Sequence, residues 1–146
     1  MKSYNNKFKS FLKKHGFLPL NNWRFFELEH GKKTIFKNNI NKIREQVNKK
    51  SGIYVYKKGK RILYVGKAVS LFGRLKSHNR ESFNSVPKGK KGEAWYRFFS
   101  KNKGKLCVYW KEVKLENDRA IIEKMLEYVL RPEFKFFKTR FEGKNK

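Results

Sequence analysis

Hydrophobic residues concentrate in two short segments, 52–56 and 61–65, on either side of a lysine-rich turn. Both segments are rich in isoleucine, valine and tyrosine, which favour β-strands. Between them, Lys57-Lys58-Gly59 predicts a three-residue hairpin loop with Gly59 at positive φ, which pairs Tyr54 with Ile62. Because side chains alternate along a strand, four of them then share one face of the hairpin: Tyr54, Tyr56, Ile62 and Tyr64.

Apolar residues recur at helical spacing in three other parts of the chain. These residues are Phe8, Phe11 and Leu12 in the first part, Ile35, Phe36, Ile40, Ile43 and Val47 in the second, and Ile121, Ile122, Met125, Leu126, Val129 and Leu130 in the third. The second helix is expected to begin at a Thr34 cap and to end near Asn48. The third is expected to begin at Asn117 or Asp118 and to end at Leu130, because proline follows two residues later.

The remaining segments are assigned from turn residues and β-propensity. Residues 106–113 alternate and predict a third strand, whereas residues 21–30 fit either a short strand or an irregular packing segment. A short helix, capped by Ser70, is expected from Leu71 to about Ser77. Residues 79–91 are expected to form a basic loop near the substrate, and residues 93–100 a helical turn or two.

Charge dominates the composition of this chain of 146 residues, a length that suits one compact domain. Lys and Arg number 38 against 12 Asp and Glu, for a formal net charge of +26. Self-repulsion at that level opposes folding, so the charge indicates a polyanionic partner, DNA or RNA, although a role in solubility alone would also account for it.

Cysteine usage and the N-terminus indicate the compartment. Cys107 is the single cysteine, so no internal disulfide can form. The sequence contains neither the apolar run of a signal peptide nor a stretch able to span a bilayer, and its histidines and cysteine lack zinc-finger spacing. The default expectation is therefore a cytoplasmic, reducing environment without membrane contact.

Groups suited to phosphodiester chemistry cluster near the hairpin. Tyr54 and Tyr64 supply hydroxyls that can orient or relay a proton. Arg74 and His78 are four residues apart on one helix face, and these side chains respectively bind phosphate as a fork and exchange protons near neutral pH. Each signal alone is typical of ordinary packing or a solvated helix face, but their combination predicts a site for cutting nucleic acid.

Two tripeptides carry a family resemblance. Gly52-Ile53-Tyr54 followed by Tyr64-Val65-Gly66 resembles the signature of the GIY-YIG nucleases. Arg74 and His78 fall eight and twelve residues after Gly66, where the family carries an arginine and, in several members, a histidine. Lys67-Ala68 and Arg119-Ala-Ile-Ile-Glu123, followed by Arg131-Pro132, further resemble the nuclease domain of the bacterial excision-repair incision subunit. The similarity spans about residues 51–136.

The resemblance implies an α/β fold with a small three-stranded, mostly antiparallel sheet flanked by helices. We expect this nuclease domain at residues 51–146, preceded by a basic helical extension at residues 1–50 that packs on the core. The resemblance further implies one divalent cation, Mg²⁺ or Mn²⁺, held by Glu123. The implied catalytic roles are a base or water-orienting group for Tyr54, with Tyr64 nearby and Lys67 assisting, a phosphate clamp for Arg74, and proton transfer or positioning for His78.

The Glu123 assignment has an alternative in the helix itself. Arg119 precedes Glu123 by four residues, so the two side chains could simply form an ion pair. Glu127 follows Glu123 by four, and like charges at that spacing disfavour a helix unless a cation lies nearby. A metal ion or a cationic cluster at Glu123 would relieve the repulsion.

The expected function is a metal-dependent DNA endonuclease of the restriction, homing or repair type, with Lys88, Lys90, Lys91 and Lys135 contacting DNA. The family often carries asparagine where this chain has Lys135, and the departure gives weight to an alternative, a non-catalytic nucleic-acid-binding protein that retains the fold. Preference for DNA over RNA, the specificity of cutting, and whether a dimer acts on duplex DNA are left open by the sequence.

Overall fold

The computed structural model describes residues 4–30, 35–83 and 89–134, which contain five α-helices and four strands. In chain order the elements are α1 (Asn5–Lys14), β1 (Arg24–His30), α2 (Phe36–Val47), β2 (Gly52–Lys58), β3 (Arg61–Ala68), α3 (Leu71–Phe83), α4 (Gly89–Lys101), β4 (Gly104–Glu112) and α5 (Glu116–Leu130). The predicted α/β class, an antiparallel sheet flanked by helices, is confirmed. None of the described helices is long and apolar enough to cross a membrane.

The sheet has four strands in the order β1-β4-β2-β3, one more than the family resemblance implied. The additional strand, β1, comes from the segment that the sequence left undecided, and it pairs with β4 from Arg24↔Trp110 to His30↔Gly104. All neighbouring strands are antiparallel. Without β1, the backbone groups along one side of β4 would lie at an open edge, so the pairing extends the sheet where an edge would otherwise be exposed.

The predicted register of the hairpin is wrong. Lys58 pairs with Arg61 across a two-residue turn, and the register then shifts between Tyr56 and Lys57, so that Tyr56 pairs with Tyr64. Gly59 does have positive φ, at 59°, as predicted. The shift places one extra residue in β3, and this bulge reverses the alternation of side chains beyond it. Tyr64 therefore joins the face of Tyr54 and Tyr56, whereas Ile62 packs on the opposite face.

The sheet separates two apolar clusters. The face that carries Tyr54, Tyr56 and Tyr64 is covered by α2, α3 and α4, and the opposite face of β2 and β3 is covered by α1 and α5. On that opposite face, Ile122 and Leu126 of α5 pack with Ile53, Val55 and Val65.

The basic loop predicted at residues 79–91 is wrong wherever the structure describes it. Residues 79–83 complete α3, which therefore extends well beyond Ser77, and residues 89–91 begin α4. Ser70 caps α3 as predicted, since its Oγ accepts a hydrogen bond from the Gly73 amide at 3.0 Å. In α4 the buried aromatic residues 95, 98 and 99 have i, i+3, i+4 spacing, so burial of an apolar face stabilises a helix that glycine and lysine obscure in the sequence.

The ends of the other helices differ slightly from prediction. Helix α2 ends at Val47, one residue before the expected Asn48, while the predicted cap, Thr34, lies outside the described residues. Helix α5 begins at Glu116, before Asn117 and Asp118, and Leu115 precedes it without a side-chain cap. Glu116 and Asp118 place acidic groups in the first turn, where they interact favourably with the helix dipole.

Candidate active site

A buried hydrogen bond links β2 to α3 at the centre of the site. The hydroxyl of Tyr54 lies 2.8 Å from Nε2 of His78, and the two side chains are 1% and 3% exposed. The imidazole of His78 also stacks on the indole of Trp95 from α4, with ring centroids 3.8 Å apart. The hydrogen bond and the stacked indole together fix the orientation of the histidine ring.

Two glycines of the signature are required by the packing of the sheet. Gly66 pairs with Tyr54, and a Cβ at position 66 would lie 2.5 Å from the Tyr54 hydroxyl oxygen and 2.7 Å from its Cε1. The phenol ring therefore lies directly over the glycine. A Cβ at Gly52 would overlap the backbone carbonyl oxygen of Lys111 in β4. Hence the absence of a side chain at Gly66 leaves space for the Tyr54 ring, and its absence at Gly52 lets the neighbouring strand β4 approach.

Burial keeps both members of the hydrogen bond neutral. It raises the pKa of Tyr54 well above 10, and the neighbouring Tyr64 and Tyr56 raise it further. Burial also lowers the pKa of His78 well below 6.5, and the positive charges of Arg74 and Lys91 lower it further. At pH 7 a neutral phenol thus faces a neutral imidazole, and when Nε2 carries no proton the phenol donates to it.

A cationic cavity adjoins this pair. It has a volume of about 560 Å³, and its lining includes His78, Trp95, the two cations Arg74 and Lys91, and one carboxylate, Glu81. Arg74 lies one turn before His78 on α3 and is exposed, as the i, i+4 spacing predicted. A phosphate group entering the cavity would meet a guanidinium that can bind two of its oxygens.

Glu123 brings a negative charge to the same hydroxyls. Its side chain is 3% exposed, and its charge raises the pKa of Tyr64 and of Tyr54, whereas Arg74 lowers both. The carboxylate therefore acts on the tyrosine cluster although the neighbouring Ile122 packs on the opposite face of the sheet. The structure thus brings together Tyr54, Tyr64, Arg74, His78 and Glu123, which lie on the four elements β2, β3, α3 and α5.

The guanidinium of Arg119 fixes the start of α5. It donates hydrogen bonds to the carbonyl oxygens of Val113 at 3.0 Å and Lys114 at 2.8 Å. These contacts hold the first turn of the helix against the end of β4. Arg119 therefore helps to set the position from which Glu123 reaches the tyrosine cluster.

The donor groups restrict the kind of metal that the described residues can hold. Residues 4–30, 35–83 and 89–134 contain no cluster of three or more histidine, cysteine, aspartate or glutamate side chains. Structural and catalytic zinc sites need three or four such ligands. A single carboxylate such as Glu123 instead fits Mg²⁺, which keeps most of its water and takes one or two carboxylates.

The other residues named from the sequence occupy different surroundings. Lys67 is exposed on β3 and alternates with Gly66, so its Cβ leaves the sheet on the side of α5. Lys90 and Lys91 are in the first turn of α4, and of these Lys91 lines the cavity. Lys88 and Lys135 lie outside the described residues.

Sequence reasoning missed Trp95. The spacing of residues 95, 98 and 99 could have identified an apolar helix face, because these positions recur at i, i+3 and i+4. Nothing in the sequence shows that the indole at position 95 would stack on His78, since the two residues meet only when α4 folds against α3.

Comparison of sequences gives one short, specific similarity. The chain is 51% identical over 37 residues to UvrABC system protein C from Fervidobacterium nodosum, which is 25% of this chain and 7% of that protein. The chain therefore matches only a small part of this relative. No family model matches the chain.

Solved structures of similar fold include the GIY-YIG N-terminal endonuclease domain of UvrC from Thermotoga maritima, bound to its catalytic divalent cation, magnesium. That domain has 22% sequence identity and a TM-score of 0.49, with 72% of this chain and 99% of that chain covered. A point mutant of the same domain with its divalent cation gives 21% identity and a TM-score of 0.49 over the same shares. The match to UvrABC system protein C agrees with the family resemblance that the two tripeptides indicated.

Proposed function

We propose that this chain is a GIY-YIG endonuclease that hydrolyses DNA phosphodiester bonds with the help of one divalent cation. The observation that carries the proposal is the buried hydrogen bond between Tyr54 and His78, which lies beside a cationic cavity. The charges of Arg74 and Glu123 both act on the pKa of Tyr54. Tyr54 and Gly66 of this arrangement belong to the two signature tripeptides, which relates the geometry to the sequence similarity.

The substrate is held by charge. Arg74 is exposed at the cavity, and its planar guanidinium matches two phosphate oxygens. Lys91 lines the same cavity and acts electrostatically on His78. As bond cleavage begins, negative charge grows on the phosphate oxygens, and a fixed guanidinium stabilises that charge more than it stabilises the ground state.

The proton of the attacking water passes through Tyr54. The Tyr54 oxygen accepts a hydrogen from water while its own hydroxyl hydrogen moves to Nε2 of His78, 2.8 Å away. Because its pKa is raised far above neutrality, Tyr54 is poorly suited to hold a negative charge and acts by passing the proton on. His78 has a depressed pKa, so it releases the proton readily once the bond is broken.

Glu123 is the side chain that would hold the cation, Mg²⁺ or Mn²⁺. When bound, such an ion supplies Lewis-acid stabilisation of phosphate oxygens and of the leaving oxygen. The carboxylate would hold the ion and would offset part of its charge. Glu123 is buried, and a cation bound to it would offset part of the cost of keeping a carboxylate away from water.

The proposal is tested with supercoiled plasmid, Mg²⁺ and a matched pair of variants. The parent should nick or linearise the plasmid with Mg²⁺ and leave it intact with EDTA. Glu123→Gln should lower the cutting rate by at least about 100-fold and retain DNA binding, because it removes a negative charge. Glu45→Gln, an exposed position on α2, makes the same chemical change and should cut at the parental rate.

Two outcomes would contradict the proposal. Cutting by Glu123→Gln at the parental rate would remove Glu123 from the site. DNA binding without cutting by the parent, in Mg²⁺ and in Mn²⁺, would favour the alternative, a non-catalytic binding protein that retains the fold.

We further propose that the two segments of the chain have different functions: residues 51–146 catalyse the hydrolysis, and the basic residues 1–50 bind the DNA duplex. The two segments do not form separate structural units, because β1 of the first segment pairs with β4 of the second. Cutting a long plasmid into discrete fragments would indicate a restriction or homing enzyme, whereas cutting only flaps or junctions would indicate repair or recombination. Sedimentation of the protein on a duplex oligonucleotide would decide whether it acts as a dimer.

A further inference from the structure

A second cavity lies at the β1 side of the sheet, where it shares no lining residue with the first. Its volume is about 280 Å³, and its lining includes Trp23, Arg24, Lys50, Trp110 and Lys111, together with Glu112. We propose that this cavity binds a phosphate group of the DNA strand at a position flanking the scissile phosphate. The identity of the ligand as DNA rests on the proposed function.

The register of the sheet aligns Arg24 of this cavity with Tyr54 of the candidate active site. One row of paired residues crosses all four strands in the order Gly66, Tyr54, Trp110 and Arg24. Directly paired residues project to the same face, so Arg24 is on the face of Tyr54, two strands away. With neighbouring strands about 4.8 Å apart, the two Cα atoms are separated by about 10 Å, a distance comparable with that between nearby phosphates on one strand.

The charges in the cavity favour an anion. Lys50 forms an ion pair with Glu112 at 3.6 Å, which accounts for the one carboxylate in the lining. Arg24 and Lys111 have no ion pair within the described residues, and each lies over an aromatic ring instead. The Arg24 guanidinium is 5.8 Å from the centre of the Trp110 ring, and the Lys111 ammonium is 5.5 Å from that of Phe17. Both residues line the cavity, Arg24 on the face of Trp110 and Lys111 on the opposite face, and these contacts supply no carboxylate to either cation.

The lining of the cavity includes Trp110, whose buried indole N–H is an unsatisfied hydrogen-bond donor among the described residues. Among residues 4–30, 35–83 and 89–134, no atom accepts a hydrogen bond from the buried indole N–H of Trp110. The other tryptophan of the cavity, Trp23, donates to the carbonyl oxygen of Phe17 at 3.2 Å. A buried donor without an acceptor costs about 1–3 kcal/mol, so a phosphate oxygen accepting from Trp110 would remove a penalty that the free protein carries.

The charge contribution is measured by the salt dependence of binding. The protein is titrated into a fluorescein-labelled duplex oligonucleotide, binding is measured by fluorescence anisotropy, and EDTA prevents cutting. The titration is repeated at NaCl concentrations from about 0.05 to about 0.3 M, a range in which the affinity of phosphate contacts changes strongly. Arg24→Gln with Lys111→Gln should reduce the slope of log K against log salt by about 1 or more, and weaken binding at 0.15 M by about 5-fold or more. The control, Lys60→Gln with Arg97→Gln, removes the same charge from exposed positions that line neither cavity, and should keep the parental slope.

The donor is tested by a second pair of variants. Trp110→Phe keeps an aromatic ring and removes the N–H, and it should weaken DNA binding by about 10-fold or more, the loss of one hydrogen bond to a charged acceptor. Tyr109→Phe, next to Trp110 on β4, also keeps an aromatic ring and removes a hydrogen-bond donor, but Tyr109 lines neither of the two cavities, so DNA binding should remain at the parental level. A thermal melting curve for each variant shows whether the compared proteins are folded at the assay temperature.

The outcomes separate this proposal from the proposed function. Equal slopes for the cavity pair and the control pair, together with unchanged binding by Trp110→Phe, would overturn the phosphate subsite even if the parent cuts DNA. Selective loss in the cavity variants, with a parent that cuts nothing in Mg²⁺ or Mn²⁺, would support the subsite and overturn the nuclease activity.

Discussion

Replacing Gly66 by alanine should disable the candidate site without removing any group that takes part in the chemistry. An alanine Cβ would lie 2.5 Å from the Tyr54 hydroxyl oxygen, whereas ordinary contact begins at 3.4 Å. The phenol must therefore move by at least about 0.9 Å, the difference between these distances, because its Cζ lies nearer still. Tyr56 and Tyr64 pack against the ring, with centroids at 5.8 and 6.1 Å, so it has no free space to enter.

The expected magnitude follows from these distances. Overpacking of this kind costs about 1–3 kcal/mol of folding stability. A displacement of about 1 Å at a reacting group lowers activity by about 100-fold, because the 2.8 Å hydrogen bond to His78 no longer has its geometry. Single-turnover cutting of a labelled duplex, normalised to the folded fraction from thermal melting, separates the two effects.

Gly59→Ala is the matched control in the same hairpin. Its φ of 59° makes alanine strained, at a cost of about 1–2 kcal/mol, but its Cβ would meet nothing within 4 Å and lies in the turn. It should lose stability and retain the parental rate per folded molecule. The reasoning is refuted if Gly66→Ala cuts as fast as the parent, or if Gly59→Ala loses as much activity as Gly66→Ala.

Three further changes test separate parts of the site. Tyr54→Phe should retain the fold, because the phenyl ring still fills the space over Gly66. It should lower the single-turnover cutting rate by about 100-fold or more, because the oxygen that relays the proton is lost. A parental cutting rate would exclude the relay. Arg74→Gln should weaken DNA binding and cutting together, measured as KM and kcat, and an unchanged kcat/KM would remove Arg74 from the phosphate site. Burial lowers the pKa of His30 from 6.5 to about 4, so the stability that this depressed pKa provides is present above pH 6.5 and is lost as the pH falls towards 4. Between pH 7 and pH 5 this histidine accounts for about 2 kcal/mol of the loss. His30→Phe should show a loss smaller by that amount in urea unfolding, whereas identical losses in parent and variant would contradict the assignment.

The elements with strong local patterns were predictable from the sequence. The apolar stripes of α1, α2 and α5 and the alternation of β4 depend on neighbours along the chain, and each appears within a few residues of its predicted place. Helix α4 was predicted as only a turn or two at residues 93–100, after a basic loop. Its first residues are glycine and lysine, which have no local preference strong enough to reveal that the aromatic residues beyond them would be buried.

The hairpin shows why register is harder to predict than strand identity. Gly59 was expected at positive φ and has it, yet the bulge at β3 changes which residues pair. The shift is favoured by long-range packing, since it places Tyr64 with Tyr54 in one cluster and Ile62 in the other. Packing of α3 and α4 on one face and α5 on the other decides which side chains belong on each face, and that packing is absent from any local window of sequence.

The sequence alone determined which groups this protein offers: a positively charged chain, two tyrosines on a hairpin, an arginine and a histidine one helical turn apart, and a glutamate in a late apolar helix. Those properties depend on residue type and on spacing along a single element. Only the tertiary structure decided that His78 would bond to Tyr54, that Glu123 would act on the same hydroxyls from across the sheet, and that Arg24 would align with them through β1. Such contacts join residues far apart in the chain, and they form only when the helices and strands bury their apolar faces together.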